Sequence, residues 1–203
     1  MARTDVSIVN IALSRMGSST IITSLSDTTD TQAIQANLIY EETRDALLRE
    51  YPWRFATRHI RLELNYADLD QSEYTYSYCY PEDCLRILKV YTEGEEQKDG
   101  RAEHEVYSID TYTDVRMIGT DIEYAYADYI ARITDPELFD PNFASCLAWR
   151  LAAEFAVVFS RDFTRRNELY RVYEMEIEKA RALDMSEGYK RIRNKRSKYA
   201  SAR

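Results

Sequence analysis

At 203 residues, 45% hydrophobic and 31% charged, the chain is long enough to bury one substantial core, and its formal charge is −8. No stretch approaches the roughly 18 uninterrupted apolar residues of a membrane span, and Met1 leads straight to Arg3 and Asp5 without a secretory apolar region, so a cytoplasmic chain without a membrane partner is expected. Three cysteines, Cys79, Cys84 and Cys146, do not make a disulfide scaffold and point to reduced thiols, while five glycines and four prolines argue against a linker-rich body.

Thr4 or Asp5 can cap a first helix, in which Val6, Val9, Ala12, Leu13 and Met16 follow helical spacing before Gly17 supplies a stop. Residues 18–30 read as an ordered loop rich in Ser, Thr and Asp, pinned by Ile21, Ile22 and Leu25. A long helix is predicted over 31–51, with Ala33, Ala36, Tyr40, Leu47 and Tyr51 inward and Ile34, Leu38 and Leu48 widening the stripe until Pro52 ends it. From about residue 57 to 133 the period becomes two, as in Ile60, Leu62 and Leu64, which predicts several short antiparallel strands. Candidate strands follow at 74–80, 85–91, 105–109, 115–118 and 122–130.

Asp140 before Pro141 is a cap followed by a first-turn proline, and Phe143, Leu147, Leu151, Phe155 and Val158 then recur at helical spacing. After a break at 160–162, Leu169, Tyr173, Ile177 and Ala180 mark a further helix that completes a helical hairpin. The expected fold is α+β. Residues 1–56 and 137–188 form a bundle of about four helices, a small antiparallel β lobe is inserted at 57–136, and the sheet projects from the bundle. Residues 189–203 form a basic C-terminal arm. That arm carries seven Lys or Arg and no acid, so it is +7 on a body of −15 and must meet something negative.

Catalytic chemistry finds little material. His59 and His104 are far apart and read as structural, Cys79 and Cys84 have no second pair to complete a zinc site, and no phosphate loop, nucleophile elbow or HExxH helix is present. Glu41, Glu42, Asp45 and Glu50, like Glu174, Glu176 and Glu178, read as solvated helix faces; neither metal nor cofactor is expected. Tyrosine is more informative, with 17 in the chain. In YTYSYCY the rings of Tyr74, Tyr76, Tyr78 and Tyr80 share one strand face, and Tyr124 and Tyr126, with Tyr129, form a second cluster. Such a face is either partly buried in the chain or a subunit interface. Within the arm, Tyr189 and Ile192 are apolar anchors among Lys190, Arg191, Arg193, Lys195, Arg196 and Lys198, which favours docking over idle solvation.

Four segments, ALSRMG at 12–17, RDALLREYPWRFA at 44–56, YPEDCLRILKV at 80–90 and FDPNFASCLAWRLAAEFA at 139–156, together resemble the head-to-tail adaptor of short-tailed bacteriophages, the tail tubular protein A or gatekeeper-type connector. The resemblance spans most of residues 6–185 and is least in the turn at 93–101 and beyond Ser186. It implies a non-enzymatic ring, usually of twelve subunits, fixed in the virion tail between the portal protein and the tubular nozzle, tubular protein B. Double-stranded genome DNA would pass through the lumen, the inserted sheet would face the nozzle or tail fibres, and the C-terminal segment would reach the portal. On that reading the arm residues 189–193, 195, 196 and 198 are portal-docking candidates, the six tyrosines Tyr74, Tyr76, Tyr78, Tyr80, Tyr124 and Tyr126 are subunit or nozzle candidates, and Trp53, Arg54 and Phe55 staple the helical and β lobes. Rival readings are a nucleic-acid-binding protein that clamps phosphates with the arm and a cell-wall hydrolase using paired acids.

Overall fold

The first helix starts where the sequence supplies an oxygen for its free amides. In the computed structural model, which describes residues 3–65, 73–93, 102–108 and 116–187, Thr4 Oγ1 accepts from the Ser7 amide at 3.1 Å while the Thr4 amide donates to Ser7 Oγ at 3.0 Å. Helix α1 (Asp5–Met16) ends at Gly17, whose φ of +91° is left-handed and whose missing Cβ faces open space. Gly17→Ala should therefore cost only the backbone strain, about 1 kcal/mol, seen as a Tm drop of about 2–4 °C. A larger drop would mean that the position is packed.

The loop after α1 is held by one side chain. Asn10 donates to Ile22 O at 2.8 Å and accepts from the Ile22 amide at 2.9 Å, which seats Ile22 and Leu25 in the core. Ile21, expected to join them, instead points outward and is 76% exposed. Helix α2 (Thr31–Glu50) is capped by Asp30 and buries Ala33, Ala36, Tyr40, Leu47 and Leu48. Its stripe is narrower than the sequence suggested, because only one line of residues in its first half reaches the core: Ile34 and Leu38 stay 48% and 64% exposed.

Asp140 accepts from the Asn142 and Phe143 amides to start α3 (Pro141–Ser160), and Asp162 does the same for α4 (Phe163–Ser186) through the Arg165 amide. Helix α3 is the centre of the bundle, with α1, α2 and α4 all packed against it. Its length and composition would suffice to cross a bilayer, yet Phe143, Leu147, Leu151 and Phe155 are fully buried against the other elements.

Among the described residues the β region forms two three-stranded antiparallel sheets. The first has the order β1 (Thr57–Arg61), β6 (Ala125–Ala131), β3 (Cys84–Thr92), and the second β2 (Tyr76–Cys79), β5 (Arg116–Thr120), β4 (His104–Ser108). Backbone bonds stitch their margins: the Cys79 amide donates to Glu63 O and Asn65 to Ser77 O, both at 2.8 Å, and Ala102 donates to Val90 O at 3.0 Å. The two sheets thus enclose a second core of Leu62, Tyr78, Val90, Ile118, Ala125 and Ala127. The first sheet does not project. Cys84, Tyr129, Ile130 and Ala131 belong to the helical core, so β6 is covered on both faces and reads as a nearly continuous apolar run.

Candidate interaction surfaces

Trp53 stands where α2 ends and β1 is about to begin. Its indole is fully buried, donates from Nε1 to Leu47 O at 3.1 Å, and meets Tyr51 and Phe143 edge-on at 4.9 and 5.3 Å. Phe55 continues the cluster at 5.0 Å from Phe143 and 6.1 Å from Phe139. Arg54 itself is exposed, but its amide donates to Asp184 Oδ1 at 3.2 Å, bringing the end of α4 to the same place. Burial raises the Asp184 carboxyl above its ordinary value, against the hydrogen bond and charge of Arg54. Beside it, Glu50 accepts from Arg150 and from the Tyr173 hydroxyl, and Arg181 lies 3.6 Å away. Three helices and the turn that leads into β1 therefore converge on one aromatic and charged knot.

The tyrosines divide into two kinds. Tyr78 is 1% exposed inside the second core and its hydroxyl donates to the carbonyls of Ile122 and Glu123, at 2.6 and 2.5 Å. It is a core residue and offers nothing to a subunit or nozzle, which corrects that part of the expectation. The opposite face of β2 is covered too: Ser77 is buried and shares a 2.6 Å hydrogen bond with the Tyr107 hydroxyl. Tyr74, Tyr76 and Tyr80 are half-buried, with Arg116 5.9 Å over the Tyr80 ring. Tyr124 is 56% exposed under the Arg61 guanidinium, and Tyr126 is half-buried and stacked 6.0 Å from Tyr91.

One polar constellation was missed in the sequence. Register places His59 and Lys89 on either side of Asp128 in the first sheet. Asp128 is 6% exposed and receives His59 Nδ1 at 2.5 Å, Lys89 Nζ at 3.0 Å and the Tyr91 hydroxyl at 2.8 Å. Burial pushes its carboxyl up, and the hydrogen bonds from His59, Lys89 and Tyr91 outweigh that and hold it below its ordinary value. A lone acid in the otherwise apolar AYADYIA run was the available signal; its meaning needed the partners' register. His104 lies elsewhere, with Nδ1 3.1 Å from Ala102 O.

The three cysteines are free. Burial lifts the Cys84 and Cys146 thiols to about 11 and about 12, so both are neutral thiols at neutral pH. Among the described residues no group of three or more His, Cys, Asp or Glu side chains is placed to hold a metal ion. The portal-docking candidates at 189–198 lie outside the described residues, beyond the end of α4. No protein-family model matches the chain, and a search of curated proteins finds no relative.

Proposed function

We propose that this chain is a subunit of a ring-shaped head-to-tail adaptor of a short-tailed bacteriophage, with a structural and not an enzymatic role, joining the portal to the tail nozzle around the path of the DNA. The observation that supports it most is that the four resembling segments are the ones that build the knot and the bundle: Ala12 and Leu13, Leu47 and Trp53, Cys84, and Phe139 with Phe143 all lie in the same core. The resemblance is thus carried by residues that set this fold.

A ring built head to tail needs two unlike adhesive surfaces on each subunit. Ile34 and Leu38 on α2, and Phe163 and Met175 on α4, are exposed apolar side chains on two different helices. The acidic body suits a channel wall, since negative groups leave phosphates few places to adhere; imaging of assembled particles tests this, and a lumen dominated by Lys and Arg would defeat it. The arm is the proposed portal strap. Deleting residues 189–203 is expected to abolish co-sedimentation with portal-bearing capsids while the thermal unfolding of the subunit stays unchanged. Retained attachment would remove the strap. Steeply salt-dependent binding of duplex DNA by the isolated chain would instead favour a phosphate clamp.

A further inference from the structure

A groove of about 580 Å³ lies between the start of α1, the middle of α2 and the exit of β6. Asp5, Glu41, Glu42 and Asp45 line it with Arg44 and Arg132. Both arginines are engaged by Asp45, each at 2.8 Å. Asp5, Glu41 and Glu42 have no ion-pair partner among the described residues. Acids alone would read as a solvated face. Tyr40 changes that reading: it lines the same groove, is 3% exposed, and its hydroxyl has no hydrogen-bond partner among the described residues. A buried hydroxyl left unmatched costs about 1–3 kcal/mol. The phenolic oxygen can accept and the carboxylates only accept, so a cation with several N–H donors suits both.

We infer that the groove receives an arginine side chain from the start of α4 in a second copy, forming one polar half of a head-to-tail subunit contact. This rests on the ring reading above. Arg161 and Arg171 are exposed, and neither they nor Arg166 has a carboxylate partner among the described residues. The exposed Phe163 lies among them, and Ile34 and Leu38 precede Glu41 and Glu42 on α2. Each surface therefore pairs apolar area with an excess of one sign of charge, and the excesses are opposite. The guanidinium fork can span a carboxylate and the Tyr40 oxygen together.

The test is a charge swap read by light scattering of the full-length chain. Glu41→Arg with Glu42→Arg, and separately Arg166→Glu with Arg171→Glu, are each expected to lose the oligomer that the wild type forms, while an equimolar mixture of the two variants regains it. Either variant assembling like the wild type overturns the contact, as does a mixture that stays dissociated although both components unfold at the wild-type temperature. Tyr40→Phe is expected to raise the Tm of the subunit and to shift dissociation to about tenfold higher concentration; a raised Tm with unchanged dissociation removes the hydroxyl from the site. If deletion of residues 189–203 abolishes self-association and the α4 reversals do not, the cation comes from the arm and the α4 assignment falls. A wild type that stays monomeric, alone and on portal-bearing capsids, defeats the ring reading itself.

Discussion

Trp53→Ala is expected to remove about 3–5 kcal/mol of stability, against a total of about 5–15 kcal/mol for a domain. The indole is the largest fully buried side chain and fills the space between Tyr51, Phe55 and Phe143. Truncation opens a cavity at the point where the end of α2, the start of α3 and the start of β1 meet, and no single neighbour can move in without leaving another element. It also removes the donor to Leu47 O, a carbonyl in the last turn of α2. Urea unfolding followed by circular dichroism should show a lower midpoint with an unchanged slope. Trp53→Phe keeps an aromatic ring but not the N–H, so it should lose about 1–2 kcal/mol. Trp149, the other tryptophan, sits 4.1 Å from the Arg15 guanidinium and reports the α1–α3 contact by fluorescence in both variants. A Trp53→Ala loss under about 1 kcal/mol would mean that the knot is a surface feature.

The helices were legible because their signals are local. Thr4, Gly17 and the Asp140-Pro141 pair act within one turn of the positions they occupy, and an alternating run announces a strand without reference to its partner. What the pattern does not carry is the identity of the element covering each face. Ile34 and Leu38 continue the helical period of α2 as well as Leu48 does, yet only Leu48 has an element opposite it. Tyr78 was assigned to the correct kind of strand and the wrong kind of surface. The second sheet that encloses it depends on pairings such as Ala102 with Val90 and Glu63 with Cys79, set by chain closure rather than by nearby residues. The acidic groove shows the same limit: Glu41 and Glu42 read as a solvated face until Asp5 and Arg132, remote in sequence, are placed beside them. Asp128 shows it most clearly, since His59 and Lys89 come from strands about 70 and 40 residues earlier.

That carboxylate carries the second large effect. Asp128→Asn is expected to lose about 3 kcal/mol at neutral pH, because an amide turns one oxygen into a donor facing the Lys89 ammonium and leaves a partly buried cation without its counter-charge. His59→Ala should lose much less, since the imidazole is 67% exposed and solvent replaces it. The pH dependence has a defined sign. The native Asp128 carboxyl is held below its unfolded value, so its contribution is fully present above the unfolded pKa of about 4 and is lost as the pH falls through the depressed native value. The stability difference between the wild type and Asp128→Asn should therefore shrink in acid, once the pH falls below about 4. Denaturant midpoints at pH 7, 5 and 3 for both proteins decide the matter. A gap at pH 3 no smaller than at pH 5, or none at pH 7, would show that Lys89 and Tyr91 are satisfied elsewhere and that the row across the first sheet does not tie its three strands together.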